Sequence, residues 1–124
     1  MVQEAVPTAL SEVTLPWKAS IRNQFQEQAQ TLCRALSRAR GLSIASPPAG
    51  AMYVLVRIDG DILPDFSNEV EFSQALLREE NVLVLPGSCF GMAQVFRVVF
   101  GAPPAVLQAA ADRIVAFCER HARE

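Results

Sequence analysis

The residue with the clearest chemical demand is Arg97. It is the only formal charge in the thirty residues from Val82 to Ala111, and it sits inside Val95-Phe96-Arg97-Val98-Val99-Phe100. That run has the length and composition of a buried strand. A guanidinium keeps its charge inside a protein, and burying it without a partner is costly. No Asp or Glu lies close in sequence, so its anion must come from elsewhere in the fold, from a partner or from a ligand. Glu79, Glu80, Asp59 and Asp61 are candidates for an internal ion pair. Arginine is also the side chain suited to bidentate capture of a carboxylate or phosphate. Gly50, Gly87 and Gly91 supply loops where a ligand could approach the backbone. The loop Pro86 to Gly91 leads into the Arg97 strand, which brings its polar and backbone groups, Ser88 and Cys89 among them, near the guanidinium.

Other reactive residues offer less. Ser88-Cys89 invites a nucleophile reading, but the one histidine, His121, lies near the C-terminus with no orienting carboxylate beside it in sequence. Gly87-Ser88-Cys89-Phe90-Gly91 lacks the Gly-Lys-Ser/Thr end of a phosphate loop and precedes a strand. Cys118 and His121 stand at i, i+3 on a helix, yet two ligands do not make a metal site. Cys118 reads as core and His121 as a cation at a helix C-terminus. Tyr53 reads as a core or edge residue. Lys18 is the only lysine, and it falls in the first turn of an ordinary helix.

The elements that must position Arg97 follow from the apolar pattern. The stretch to Glu12 reads as the tail of a helix, interrupted at Pro7. A long amphipathic helix starts at Pro16, with Trp17, Ile21, Phe25, Leu32, Ala35, Leu36 and Ala39 on one stripe, Gln28 inside that stripe, and Gly41 just past its end. Leu42 to Ser46 suggests a short strand. Ala51 to Ile58 is a strand apolar on both faces until Arg57, hence a central one. Asn68 and Glu71 look like a capping box opening a helix to about Glu80. That helix has apolar residues on two sides, which suggests a place between two layers. Val82 to Leu85 is a short strand, Ser88 to Gln94 a loop, and Pro103-Pro104 open a last helix carrying Leu107, Ala110, Ile114, Phe117 and Cys118. The order α, α, β, β, α, β, β, α describes an α+β domain with helices on one side of a small mixed or antiparallel sheet.

Composition bounds the function. The chain has 124 residues, 51% hydrophobic and 19% charged, with a net charge of −2. That supports one folded domain and gives no reason to expect nucleic acid or an anionic membrane as a partner. Three unpaired-looking cysteines argue for a reducing compartment. No apolar run is long enough to span a bilayer.

Several segments together resemble one family: Pro48-Ala49-Gly50-Ala51-Met52-Tyr53, Asp65 to Phe72, Leu76 to Val82, Leu85 to Phe90, Phe96-Arg97-Val98-Val99 and Arg113 to His121. Their order and spacing are similar to the C-terminal part of class I pyridoxal-phosphate-dependent aminotransferases. The details in Gly-Ala-Met-Tyr, Leu-Pro…Cys-Phe and Ile…Phe-Cys-Glu…His look most like the tyrosine-specific branch. The resemblance implies the small domain of a fold-type I enzyme over residues 41–124, with residues 1–40 as the helical segment leading into it. It implies that Arg97 holds the substrate α-carboxylate, with Ser88 and Cys89 at most secondary contacts. It further implies transamination between tyrosine or another aromatic amino acid and 2-oxoglutarate, pyridoxal 5′-phosphate as cofactor, and a homodimer in the whole enzyme. The chain departs from the family at Lys18, whose surroundings lack the basic, glycine-containing segment that follows the family's Schiff-base lysine. No catalytic or cofactor-binding residue is therefore expected in this chain, and the cofactor-binding large domain is expected to be absent. A cytoplasmic location is expected, with a mitochondrial one left open because the true N-terminus is expected to lie upstream.

Overall fold

The computed structural model describes residues 2–13 and 15–123. Helix α1 (Val2–Glu12) is followed by α2 (Leu15–Leu36), strands β1 (Leu42–Ile44) and β2 (Tyr53–Ile58), helix α3 (Glu69–Glu80), strand β3 (Leu85–Pro86), a 3-10 turn (Gly87–Phe90), strand β4 (Val95–Val99) and helix α4 (Pro104–His121). The order is the one the apolar pattern predicts. The sheet runs β1-β2-β4-β3 with every neighbour antiparallel.

Alternation along the strands decides which face is covered. Val54, Val56 and Ile58 of β2 and Phe96 and Val98 of β4 are buried against the helices. They meet Leu32 and Leu36 of α2, Phe72 and Leu76 of α3, and Leu107, Ile114 and Phe117 of α4. Phe72 stacks on Phe96 at 5.1 Å between ring centres and meets Phe117 edge-on at 5.4 Å. The other face of the sheet carries the cross-strand pair Tyr53 and Val99, which are 39% and 51% exposed, with Arg97 two residues before Val99 on β4. β2 is central in the sheet, as its sequence suggests. Its second apolar face is open, however, and not buried.

Three expectations need correcting. α3 is not wedged between layers: Glu69, Phe72, Ser73 and Leu76 are buried, whereas Leu77 of the second stripe is 43% exposed. The stripe of α2 is fully buried only from Gln28 onward, with Phe25 half-buried against Phe100; Leu15 and Trp17 are mostly exposed, and α1 has no buried residue. Hydrogen bonding in the third strand reaches only Leu85 and Pro86, although Val82 and Val84 before it are buried. Pro86 is tolerated there because β3 is a sheet edge.

Local signals explain the ends of the elements. The Asn68 side chain accepts from the N–H groups of Val70 and Glu71, both at 3.0 Å. The Glu71 carboxylate accepts in return from Ser67 N–H, one residue before the cap. Helix α2 stops five residues before Gly41, and a turn runs between them. Gly41 has φ +76°, and a Cβ there would meet Leu63 at 2.6 Å. Both the left-handed backbone and the close approach require glycine.

Candidate active-site face

Arg97 belongs to the open face of the sheet. Its register neighbours are Leu55 on β2 and Leu85 on β3. The residue is half-buried, so the strand is not buried on both sides as its composition suggests. The guanidinium carbon lies 5.1 Å from the centre of the Tyr53 ring and 5.6 Å from that of Phe90. Both distances are within the range of cation–π attraction. The Nε nitrogen is buried and has no hydrogen-bond partner.

None of the carboxylates offered by the sequence reaches Arg97. Glu79 and Glu80 are bound to Arg120, at 3.2 and 2.5 Å. Asp59 accepts from the backbone N–H of Asp61. Among the described residues no acidic side chain is paired with Arg97. The internal ion-pair reading therefore fails, and the guanidinium is flanked by rings but not neutralised.

The loop after β3 does stand beside Arg97, but through the Phe90 ring and not through a polar group. Ser88 and Cys89 are exposed on the 3-10 turn. The close approach expected at Gly87 is made by the chain itself: an added Cβ would lie 2.1 Å from the Met92 carbonyl oxygen and 2.6 Å from that of Val95. Gly50 and Gly91 have nothing within 4 Å of such a Cβ.

Sequence reasoning missed Glu69, Tyr53 and Phe90. Glu69 is 5% exposed, and its Oε2 accepts from Gln94 N–H at 2.9 Å. That bond, with the polar groups of nearby Ser88, holds its carboxyl below the usual carboxylate range against the opposing effect of burial. Tyr53 and Phe90 become neighbours of Arg97 only through strand register and the loop path. The alternation of Phe96 and Val98 inward was the one sequence signal that Arg97 points the other way.

His121 sits outside this face. Its Nδ1 is 2.8 Å from Asp65 Oδ2 and its Nε2 3.2 Å from Glu79 Oε2. Burial alone would lower its pKa, but the two carboxylates together outweigh it and raise the value. Burial pushes the Cys118 thiol up to about 12. His121 is thus committed to carboxylates and Cys118 to the core. Among the described residues no three His, Cys, Asp or Glu side chains are grouped to hold a metal ion.

The family model for aminotransferase class I and II matches residues 1–114. The chain belongs to that family. Mouse tyrosine aminotransferase is 35% identical over 121 residues, covering 98% of this chain and 26% of its own length. Barley nicotianamine aminotransferase A is 28% identical over 123 residues, 99% of this chain and 27% of its own length. The crystal structure of tyrosine aminotransferase from Leishmania infantum superposes with a TM-score of 0.90 at 36% identity, over 98% of this chain and 30% of that one. This chain therefore spans about a quarter to a third of these relatives, and its α+β architecture is that of fold-type I aminotransferases.

Aminotransferases of this family depend in general on pyridoxal phosphate. The residues present here do not fit that group. The one lysine, Lys18, is exposed in the first turn of α2, on neither the sheet nor the loop beside Arg97. Among the described residues no helix is long and apolar enough to cross a membrane.

Proposed function

We propose that this chain is the small-domain part of an aminotransferase and supplies its substrate-carboxylate anchor, Arg97. The observation that carries this reading is a half-buried guanidinium with an orphaned Nε, two flanking rings and no acidic partner. The rings cover its flanks and hold its plane, which suits a ligand that approaches edge-on with two oxygens. The amino donor is tyrosine or another aromatic amino acid, which the likeness to tyrosine aminotransferases supports, and the acceptor is 2-oxoglutarate, as the sequence resemblance to the family implies. The large domain supplies the Schiff-base lysine and pyridoxal phosphate, the whole enzyme is a homodimer, and residues 1–40 lead from the large domain into 41–124. Ser88 and Cys89 make secondary contacts at most. By itself this chain catalyses no transamination.

A stand-alone carboxylate-binding module is the other reading. It calls for a polar exterior, whereas Val2, Leu10, Leu15 and Trp17 on α1 and α2 and Val99 on the open sheet face are more than half exposed. That favours a docked large domain. The test is kinetic. In the polypeptide that joins this chain to the cofactor-holding region, Arg97→Lys should lower kcat/KM for tyrosine by about 100-fold, because a point charge cannot aim the substrate as a fork does. An unchanged kcat/KM sinks the assignment.

A further inference from the structure

We propose that Glu69 is a positioning residue for the Arg97 site: it pins the Gln94 end of the 87–94 loop, and the loop holds the Phe90 ring against the guanidinium. The inference rests on the reading of Arg97 as a carboxylate anchor. Glu69 is the first residue of α3, at the positive end of the helix dipole. From there its carboxylate meets the loop at Gln94, by a 2.9 Å bond from the backbone N–H. Gln94 has a left-handed backbone, φ 57°, and its carbonyl accepts from Ile58 N–H of β2 at 2.9 Å. Inside the loop, Met92 N–H donates to the Gly87 carbonyl at 2.9 Å, and the Gly87 Cα is closed in by two carbonyl oxygens. The loop is thus a short closed ring with a charged pin at its Gln94 end, and Phe90 lies on its span. A buried carboxylate is a costly way to pack a loop, and an apolar residue would serve packing alone. What the charge adds is a fixed Gln94 end for the loop that carries Phe90.

The test uses this chain labelled with 15N, following the Arg97 Nε–Hε resonance, which the flanking rings shift and whose burial protects it from exchange. The probe ligand is 3-phenylpropionate. Glu69→Gln should move the Arg97 resonance in the same direction as Phe90→Ala. It should also weaken 3-phenylpropionate about three-fold, roughly the loss of one exposed cation–π contact. The double variant should be no weaker than Phe90→Ala alone, because the two act through one contact. Glu69→Asp, which keeps the charge but shortens its reach to Gln94, should give a smaller shift in the same direction and decides the matter if Glu69→Gln does not fold. An unmoved Arg97 resonance in Glu69→Gln or, failing that variant, in Glu69→Asp overturns the proposal; so does an additive double variant. If 3-phenylpropionate binds Arg97→Ala as well as wild type, the anchor reading fails instead, while the resonance positions still judge Glu69.

Discussion

Replacing Arg97 by methionine should stabilise this chain. The buried Nε without a partner costs about 1–3 kcal/mol. The two ring contacts return roughly 0.5–1 kcal/mol each at a partly exposed site. Methionine has a similar unbranched stem and fills the space between Leu55 and Leu85 with a soft, adaptable side chain. The difference centres on a gain of about 0.5 kcal/mol, or roughly 2 °C in Tm for a domain of this size. A guanidinium in an internal ion pair behaves in the opposite way, because deleting it strands a buried carboxylate at a cost of about 3–5 kcal/mol. The sign therefore separates a residue kept for a ligand from one kept for the fold. Urea unfolding of wild type and Arg97→Met, with equal slopes, gives the answer. A loss of more than about 2 kcal/mol would refute the reasoning.

Two further outcomes follow from the same structure. Gly87→Ala places a Cβ 2.1 Å from the Met92 carbonyl oxygen, so it should cost about 3 kcal/mol or more in urea unfolding. His121 has a folded pKa raised above 6.5, so the stability it adds is complete below pH 6.5 and lost as pH rises through the folded value. The Glu79 carboxyl is lowered, chiefly by its hydrogen bond from His121, so the same cluster also weakens as pH falls through Glu79's own folded value. The urea midpoint of wild type should therefore fall on the alkaline side, and His121→Gln should remove that step.

The element order and the identity of the anchor were legible in the residues, for separable reasons. Apolar spacing marks α2, α3 and α4 because each buries a stripe, and Asn68 announces its helix by a side chain that reaches two N–H groups. Arg97 stands out because charge is absent around it. What spacing could not say is which apolar surface this chain leaves open. Leu15, Trp17, Leu77 and Val99 are apolar yet exposed, so counting them as core made α3 a middle layer and β4 a strand buried on both sides. Nor could it say which residues meet across register. Tyr53 is 44 residues from Arg97 and becomes its neighbour only through the pairing Leu55↔Arg97. Glu69 was hidden for a similar reason: an acid in a helix's first turn reads as an exposed dipole partner until the loop folds over it.

The central claim is that Arg97 waits for a carboxylate. Titration of this chain with 3-phenylpropionate and with the neutral 3-phenylpropan-1-ol, read at the Arg97 Nε–Hε resonance, tests it most directly. The acid should shift the resonance saturably and the alcohol should leave it in place, while Arg97→Met should lose affinity for the acid. Equal responses to acid and alcohol, or undiminished binding of the acid by Arg97→Met, would contradict it.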